Sequence, residues 1–179
     1  MRKALSIITA LLVFSLNLAI FAEENIPAKT EKRQINENVY LIHNYTPGMM
    51  GSQDSLIISE NNKELSIFES EGRRIEEVFI KDFDKDGKTE YLVQMDCGGS
   101  GGYRDMSLLK QNAQNVFEPV WEESYAMPKV EVHERDGRDS IYIKYPTNPK
   151  AEKSPMALAI ISFDKKGNIS TKDSKDLLK

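Results

Sequence analysis

The sequence contains few cysteines and histidines, the residues that form disulfides or bind metal ions in many small proteins. Among its 179 residues are one cysteine, Cys97, and two histidines, His43 and His133. A single thiol excludes an internal disulfide framework, and neither histidine has an acid or a cysteine at a metal-ligand spacing. We expect both histidines to be ordinary strand residues. We expect Cys97 to be buried and inert, on the face that alternation gives to Tyr91, Val93 and Met95.

An excess of positive charge is also missing. Lysine and arginine total 24 against 28 aspartates and glutamates, which gives a formal net charge of −4. Proteins that bind nucleic acid usually carry a basic patch or stripe that neutralises phosphates. The composition therefore argues against a nucleic-acid partner.

Long hydrophobic runs are limited to one, at residues 4–21. Arg2 and Lys3 precede this run, and Ala22 follows it immediately before two glutamates. A basic start, an apolar stretch and a small residue at the cleavage point are typical of a secretory signal peptide, here residues 1–22. The run is long enough for an uncleaved anchor to be the alternative. We expect a secreted or periplasmic protein with no membrane contact after cleavage.

The remaining chain has a globular composition, with 40% hydrophobic and 29% charged residues overall. We expect a polar linker at 23–37, a single mostly-β domain at 38–170 and a solvated tail at 171–179. Short β-type segments are predicted at 39–44, 56–59, 65–68, 78–83, 91–97, 106–109, 116–121, 130–133, 140–145 and 156–163. Helical alternatives are a partly amphipathic stretch at 69–83 and a short helix at 110–115.

About ten short strands separated by turns indicate a mostly-β fold of antiparallel strands in blade-like or sandwich-like sheets. A weak internal echo supports repeated β-units, because Asp-Gly steps at 86–87 and 136–137 each lie between two apolar strands. A closed propeller needs at least about four blades. The chain is too short for a complete one.

The acidic loop at 82–90 is the most informative segment. Its sequence places Asp82, Asp84, Asp86 and Glu90 around one tight turn at Gly87. Close carboxylates repel one another, and a hard divalent cation with oxygen ligands at about 2.4 Å removes that repulsion. Lys88 stands where a backbone carbonyl usually contributes. We therefore predict a structural Ca²⁺ site formed by these five positions, the alternative being a solvated turn whose lysines balance its acids.

The loop does not fit an EF-hand, whose last acid stands at the twelfth position, here Val93. It resembles instead the calcium-binding blade of the FG-GAP and VCBS repeat families, β-propeller units of integrin α-chains and many secreted bacterial proteins. The resemblance rests on Asp-x-Asp-x-Asp-Gly-x-x-Glu followed by a strand, and it covers about residues 75–110. The chain lacks the Phe-Gly opening and replaces the Gly-Ala-Pro end with residues 97–103. The resemblance implies a blade-like sheet with a calcium loop, without implying a whole propeller.

Residues 98–102 formally satisfy the nucleophile motif Gly-x-Ser-x-Gly, with Ser100 at its centre. In a hydrolase, His133 would be the base and Asp136 or Asp139 its orienting acid. The motif should lead into a helix, whereas the following residues are strand-like, so a bent connection between strands is favoured.

The sequence therefore favours a non-catalytic binding or interaction module, whose partner would be a protein or polysaccharide of the cell envelope. The alternatives are a small secreted hydrolase using Ser100, or an envelope inhibitor or assembly factor.

Overall fold

The computed structural model describes residues 29–45, 52–60, 63–98, 101–135 and 137–174. Within them the chain forms three four-stranded antiparallel sheets, each with its strands in chain order and none closed on itself. The first sheet contains β1–β4, the middle sheet β5–β8 and the third sheet β9–β12. The strands are β1 (Lys29–Asn36), β2 (Val39–Tyr45), β3 (Ser52–Glu60), β4 (Lys63–Glu69), β5 (Arg74–Lys81), β6 (Glu90–Asp96), β7 (Tyr103–Gln111), β8 (Phe117–Ala126), β9 (Lys129–Arg135), β10 (Arg138–Pro146), β11 (Met156–Phe163) and β12 (Ile169–Asp173).

The middle sheet is covered on both faces. In β6, Tyr91, Val93 and Met95 pack into a core shared with the first sheet, while Leu92 packs into a core shared with the third sheet. Side chains alternate between the two faces of a strand, so a strand covered on both sides needs an uninterrupted apolar run. The run Tyr91-Leu92-Val93 meets that requirement, and all three residues are buried.

The two outer sheets each contribute one apolar face. Val39, Leu41, Leu56 and Ile58 of the first sheet close one core. The third sheet closes the other with alternate residues of β10 and β11, namely Ile141, Ile143, Tyr145, Ala157, Ala159, Ile161 and Phe163. The middle sheet thus lies between the two outer sheets and shares one core with each of them.

The mostly-β prediction is confirmed, and each of the ten predicted segments corresponds to a strand from β2 to β11. Both helical alternatives are wrong, because 74–81 forms β5 and β7 continues to Gln111. Two boundaries also differ from the prediction. The segment expected as a linker contains β1, and β12 reaches Asp173, inside the expected tail.

Other sequence predictions fall outside the described residues or concern isolated turns. The predicted signal peptide at 1–22 lies outside the described residues, and so does Ser100. Within the described parts, no helix is both long and apolar enough to cross a membrane. Gly87 and Gly137 follow the first strand of their respective sheets with φ angles of 90° and 73°, a region that favours glycine.

Candidate metal centre

The acidic loop is folded by its own carboxylates. Asp82 accepts hydrogen bonds from the backbone N–H groups of Asp86 and Gly87, at 3.1 and 3.0 Å. Asp84 accepts one from the N–H of Asp86 at 3.1 Å, and Asp86 accepts one from Lys88 at 2.8 Å. Short acidic side chains commonly cap nearby N–H groups in turns. Alternating aspartates therefore bend the loop through hydrogen bonds to its own backbone.

The loop brings four carboxylates together, as predicted. One oxygen from each of Asp82, Asp84, Asp86 and Glu90 lies within 4.8 Å of the others; these four residues are the acidic cluster. The acidic cluster could therefore hold a metal ion.

One buried oxygen of the acidic cluster accepts no hydrogen bond from the residues that the structure describes. Glu90 is fully buried, and its Oε2 accepts the N–H of Phe83 at 2.8 Å. Its Oε1 is also buried, and none of the described residues donates to it. Leaving a buried carboxylate oxygen unpaired is costly. Burial, reinforced by the neighbouring Asp84 and Asp86, raises the pKa of Glu90 to about 7, so a cation that binds there would displace a proton near neutral pH.

A lysine from the middle sheet reaches the acidic cluster. The ammonium of Lys110, on β7, donates a hydrogen bond to Asp84 and lies 3.0 Å from Asp86 Oδ2 and 3.8 Å from Glu90 Oε1. Burial opposes the charge on Lys110, but the hydrogen bonds to Asp84 and Asp86 outweigh it and hold its pKa above the usual value. The same pairing holds the pKa of Asp86 below its usual value despite burial.

The acidic loop is also tied to the third sheet. Phe83 accepts a backbone hydrogen bond from Asp139 at 3.3 Å, and its ring stacks on Phe163 at 6.2 Å. Lys85, with a φ of 62°, contacts the buried carboxylate of Asp139 at 2.8 Å. Gly167, in the turn before β12, lies so close that a Cβ there would stand 2.5 Å from Asp84 Oδ2. The acidic cluster therefore lies at the junction of the middle and third sheets.

The sequence identified most of this site. The four carboxylates come together, and the predicted carbonyl contribution of Lys88 stays a prediction. Lys110, twenty positions from Glu90 in the sequence, was not predicted as part of this site. The register of β6 and β7 pairs Tyr91 with Leu109, so the next pair places Lys110 opposite Glu90. Predicting this strand register would have been needed to place Lys110 beside Glu90.

The residues proposed for a hydrolase have other partners in the described parts of the chain. His133 is exposed on β9 and contacts Glu131 at 3.1 Å. The two carboxylate oxygens of Asp139 contact Lys81 and Lys85. His43, the other histidine, contacts the buried Asp54 through Nδ1 at 2.6 Å. Ser100 and Asp136 lie outside the described residues.

The expectation that Cys97 is buried is wrong. Strand β6 ends at Asp96, and Cys97 is exposed, because it lies between the end of the strand and the turn at Gly98, whose φ is 72°. Although the residue is exposed, partial burial of the thiol and its hydrogen bond to Asp105 raise its pKa to about 11.

Alkylation can test this thiol environment. A thiol with a pKa near 11 binds its proton more tightly than an ordinary cysteine, so at pH 8 only about one in a thousand is thiolate. We expect Cys97 to react with iodoacetamide at pH 8 about a hundred times more slowly than a model thiol, with the rate rising through pH 11. Asp105→Asn removes the adjacent charge and should accelerate alkylation at pH 8; an unchanged rate would contradict this account.

Comparison with known proteins gave no relative. No protein-family model matches the chain, and no curated protein or solved structure is significantly similar to it.

Proposed function

We propose that this is a secreted or periplasmic, non-catalytic protein in which a calcium ion held by the acidic cluster stabilises the junction of two sheets. The observation that carries the proposal is the convergence of four carboxylates, two of them buried, around the unpaired Oε1 of Glu90. Four carboxylates exceed the single positive charge that Lys110 supplies. A divalent cation would offset the repulsion that remains.

The fold around the loop supports the resemblance to FG-GAP and VCBS blades. The acidic loop connects β5 and β6, the first two strands of a four-stranded antiparallel sheet. Propeller blades are sheets of this kind, and three such sheets fit the blade-like reading of the sequence. We propose that the chain uses a calcium-stapled blade without closing a propeller.

A secreted or periplasmic location is compatible with a site that binds calcium weakly. Extracellular calcium modules bind the ion with dissociation constants of about 10⁻⁴–10⁻³ M, so a modest site fills only where calcium is plentiful. The loop contacts the third sheet through Phe83 and Lys85, so occupancy would tighten the junction. We propose that the stabilised module binds a protein or a polysaccharide of the cell envelope, a role that the leader-like N-terminus favours.

Thermal unfolding of the purified protein in EDTA and in millimolar calcium tests the metal site. Calcium at ten times its dissociation constant, about 1–10 mM for such a site, should add about 1.4 kcal/mol to the free energy of unfolding, a melting shift of about 3–6 °C. The double variant Asp84→Asn, Asp86→Asn should lose this shift because it removes two anionic ligands.

A charge-matched control separates the site from general electrostatics. Glu118→Gln, Glu152→Gln also removes two carboxylates, both from exposed residues outside the loop, and should keep the full calcium shift. The calcium proposal fails if the unaltered protein shows no shift in millimolar calcium, or if both double variants lose it equally.

A further inference from the structure

We propose that the ammonium of Lys110 is a tethered competitor for the cation site: it lies in the acidic cluster when calcium is scarce and leaves when the ion binds. The inference rests on the calcium function proposed above. It adds a mechanism that sets the affinity of the site.

The position of Lys110 is fixed by strand pairing. Leu109 is paired with Tyr91 in the β6–β7 ladder, which brings the next residue of β7 beside Glu90 at the mouth of the loop. From there the ammonium contacts Asp84, Asp86 and Glu90, three of the four members of the acidic cluster. These carboxylates are the ones a bound ion would use.

An ammonium satisfies the acidic cluster only in part. It carries one charge and three donors, whereas Ca²⁺ carries two charges and accepts six to eight oxygen ligands. Glu90 Oε1 lies 3.8 Å from Lys110 and is buried, yet it has no hydrogen-bond partner within the described parts of the chain. This unpaired oxygen points to a ligand that reaches more of the acidic cluster than Lys110 does.

The site has little room for both cations. A Cβ at Gly167 would stand 2.5 Å from Asp84 Oδ2 and 3.2 Å from Lys110 Nζ, so the turn of the third sheet closes directly over this pair. The Lys110 side chain is 23% exposed, and its flexible four-carbon stem can carry the ammonium into solvent. A calcium ion that binds the acidic cluster therefore replaces the ammonium of Lys110.

Calorimetric titration of the full protein with calcium chloride tests the exchange. Lys110→Met keeps an apolar side chain of similar reach and removes the competing charge, so calcium should bind at least about tenfold more tightly. Lys129→Met is the matched control. It removes a positive charge from an exposed residue of β9 that is not among the ion-pair contacts of the acidic cluster in the described residues, and it should change the affinity less than about threefold.

Amine labelling of the unaltered protein gives a second measurement that does not depend on a variant. The rate at which acetic anhydride acylates Lys110, followed by peptide mass spectrometry, should rise severalfold in saturating calcium, while Lys144 on β10 should be unaffected. Continued protection of Lys110 in calcium-bound protein would overturn the exchange.

The outcomes separate the inference from the function on which it rests. Equal calcium affinity of the unaltered protein and Lys110→Met overturns the competition and leaves the calcium function intact. Binding by Lys110→Met alone supports the competition and overturns calcium as the natural occupant. Absence of binding in both overturns both proposals.

Discussion

Replacing Asp54 with alanine is expected to lower the free energy of unfolding by about 2–5 kcal/mol, because each buried hydrogen-bonding group that loses its partner costs about 1–3 kcal/mol. Asp54 is fully buried on β3, and its Oδ2 accepts the N–H of Ile75 at 2.7 Å while contacting His43 at 2.6 Å. Its own N–H donates to Ser70 Oγ at 2.9 Å. One carboxylate therefore connects the first sheet to β5 of the middle sheet, and alanine would leave a buried N–H without an acceptor.

Urea denaturation measures the loss, with two variants for comparison. Asp54→Asn keeps an oxygen that can accept the N–H of Ile75, so it should cost clearly less than alanine. Glu64→Ala removes an exposed carboxylate from the adjacent strand β4 and should stay within about 0.5 kcal/mol of the unaltered protein. A cost for Asp54→Ala no larger than that of Glu64→Ala would show that Asp54 does not join the sheets.

The contrast between β6 and the edge strands shows how far sequence reasoning reaches. β6 was predicted from the alternation that places Tyr91, Val93 and Met95 on one face, and all three are buried. β1 is almost entirely exposed, and its residues carry no apolar alternation. It is a strand because its backbone pairs with β2 from Lys29 to Asn36, a long-range condition that local composition does not encode. The polar edge strand β12 was missed for the same reason.

The candidate site likewise contains residues that local sequence places and residues that only the tertiary structure places. Asp82, Asp84 and Asp86 converge because each bonds to N–H groups a few residues away, so sequence spacing alone could place them. Lys110 enters through the register of a hairpin, and Asp139 through the packing of the third sheet. Contacts between sheets depend on how layers stack, which no local pattern specifies.

The position of Phe83 depends both on its apolar side chain, which sequence reasoning detects, and on packing between two sheets, which it does not. The sequence predicted a strand at 78–83, yet β5 ends at Lys81 and Phe83 lies in the acidic loop. Its ring is nevertheless fully buried in the core between the middle and third sheets. Its N–H donates to Glu90 Oε2 and its carbonyl accepts from Asp139. The apolar pattern correctly indicated that Phe83 is buried, but the residue belongs to a loop that is fixed to the core and not to a strand.

Phe83→Ala should therefore cost about 3–5 kcal/mol of stability, the usual penalty for deleting a buried phenylalanine. It should also weaken calcium binding, because the backbone that holds Glu90 loses its anchor in the core. Phe83→Leu keeps most of the volume and should cost clearly less while preserving the calcium response. Urea denaturation with and without calcium measures both effects on the same samples.

A double-mutant cycle locates the origin of the loss. Phe83→Ala and Phe163→Ala remove the two stacked rings, and their coupling should be about 0.5–1.5 kcal/mol if the rings stabilise each other. The calcium-dependent part of stability should fall in both single variants, since either one frees the loop from the third sheet. If Phe83→Ala lost stability but kept the full calcium response, the acidic cluster would be held by its internal hydrogen bonds alone, and the proposed tightening of the sheet junction by calcium would be wrong.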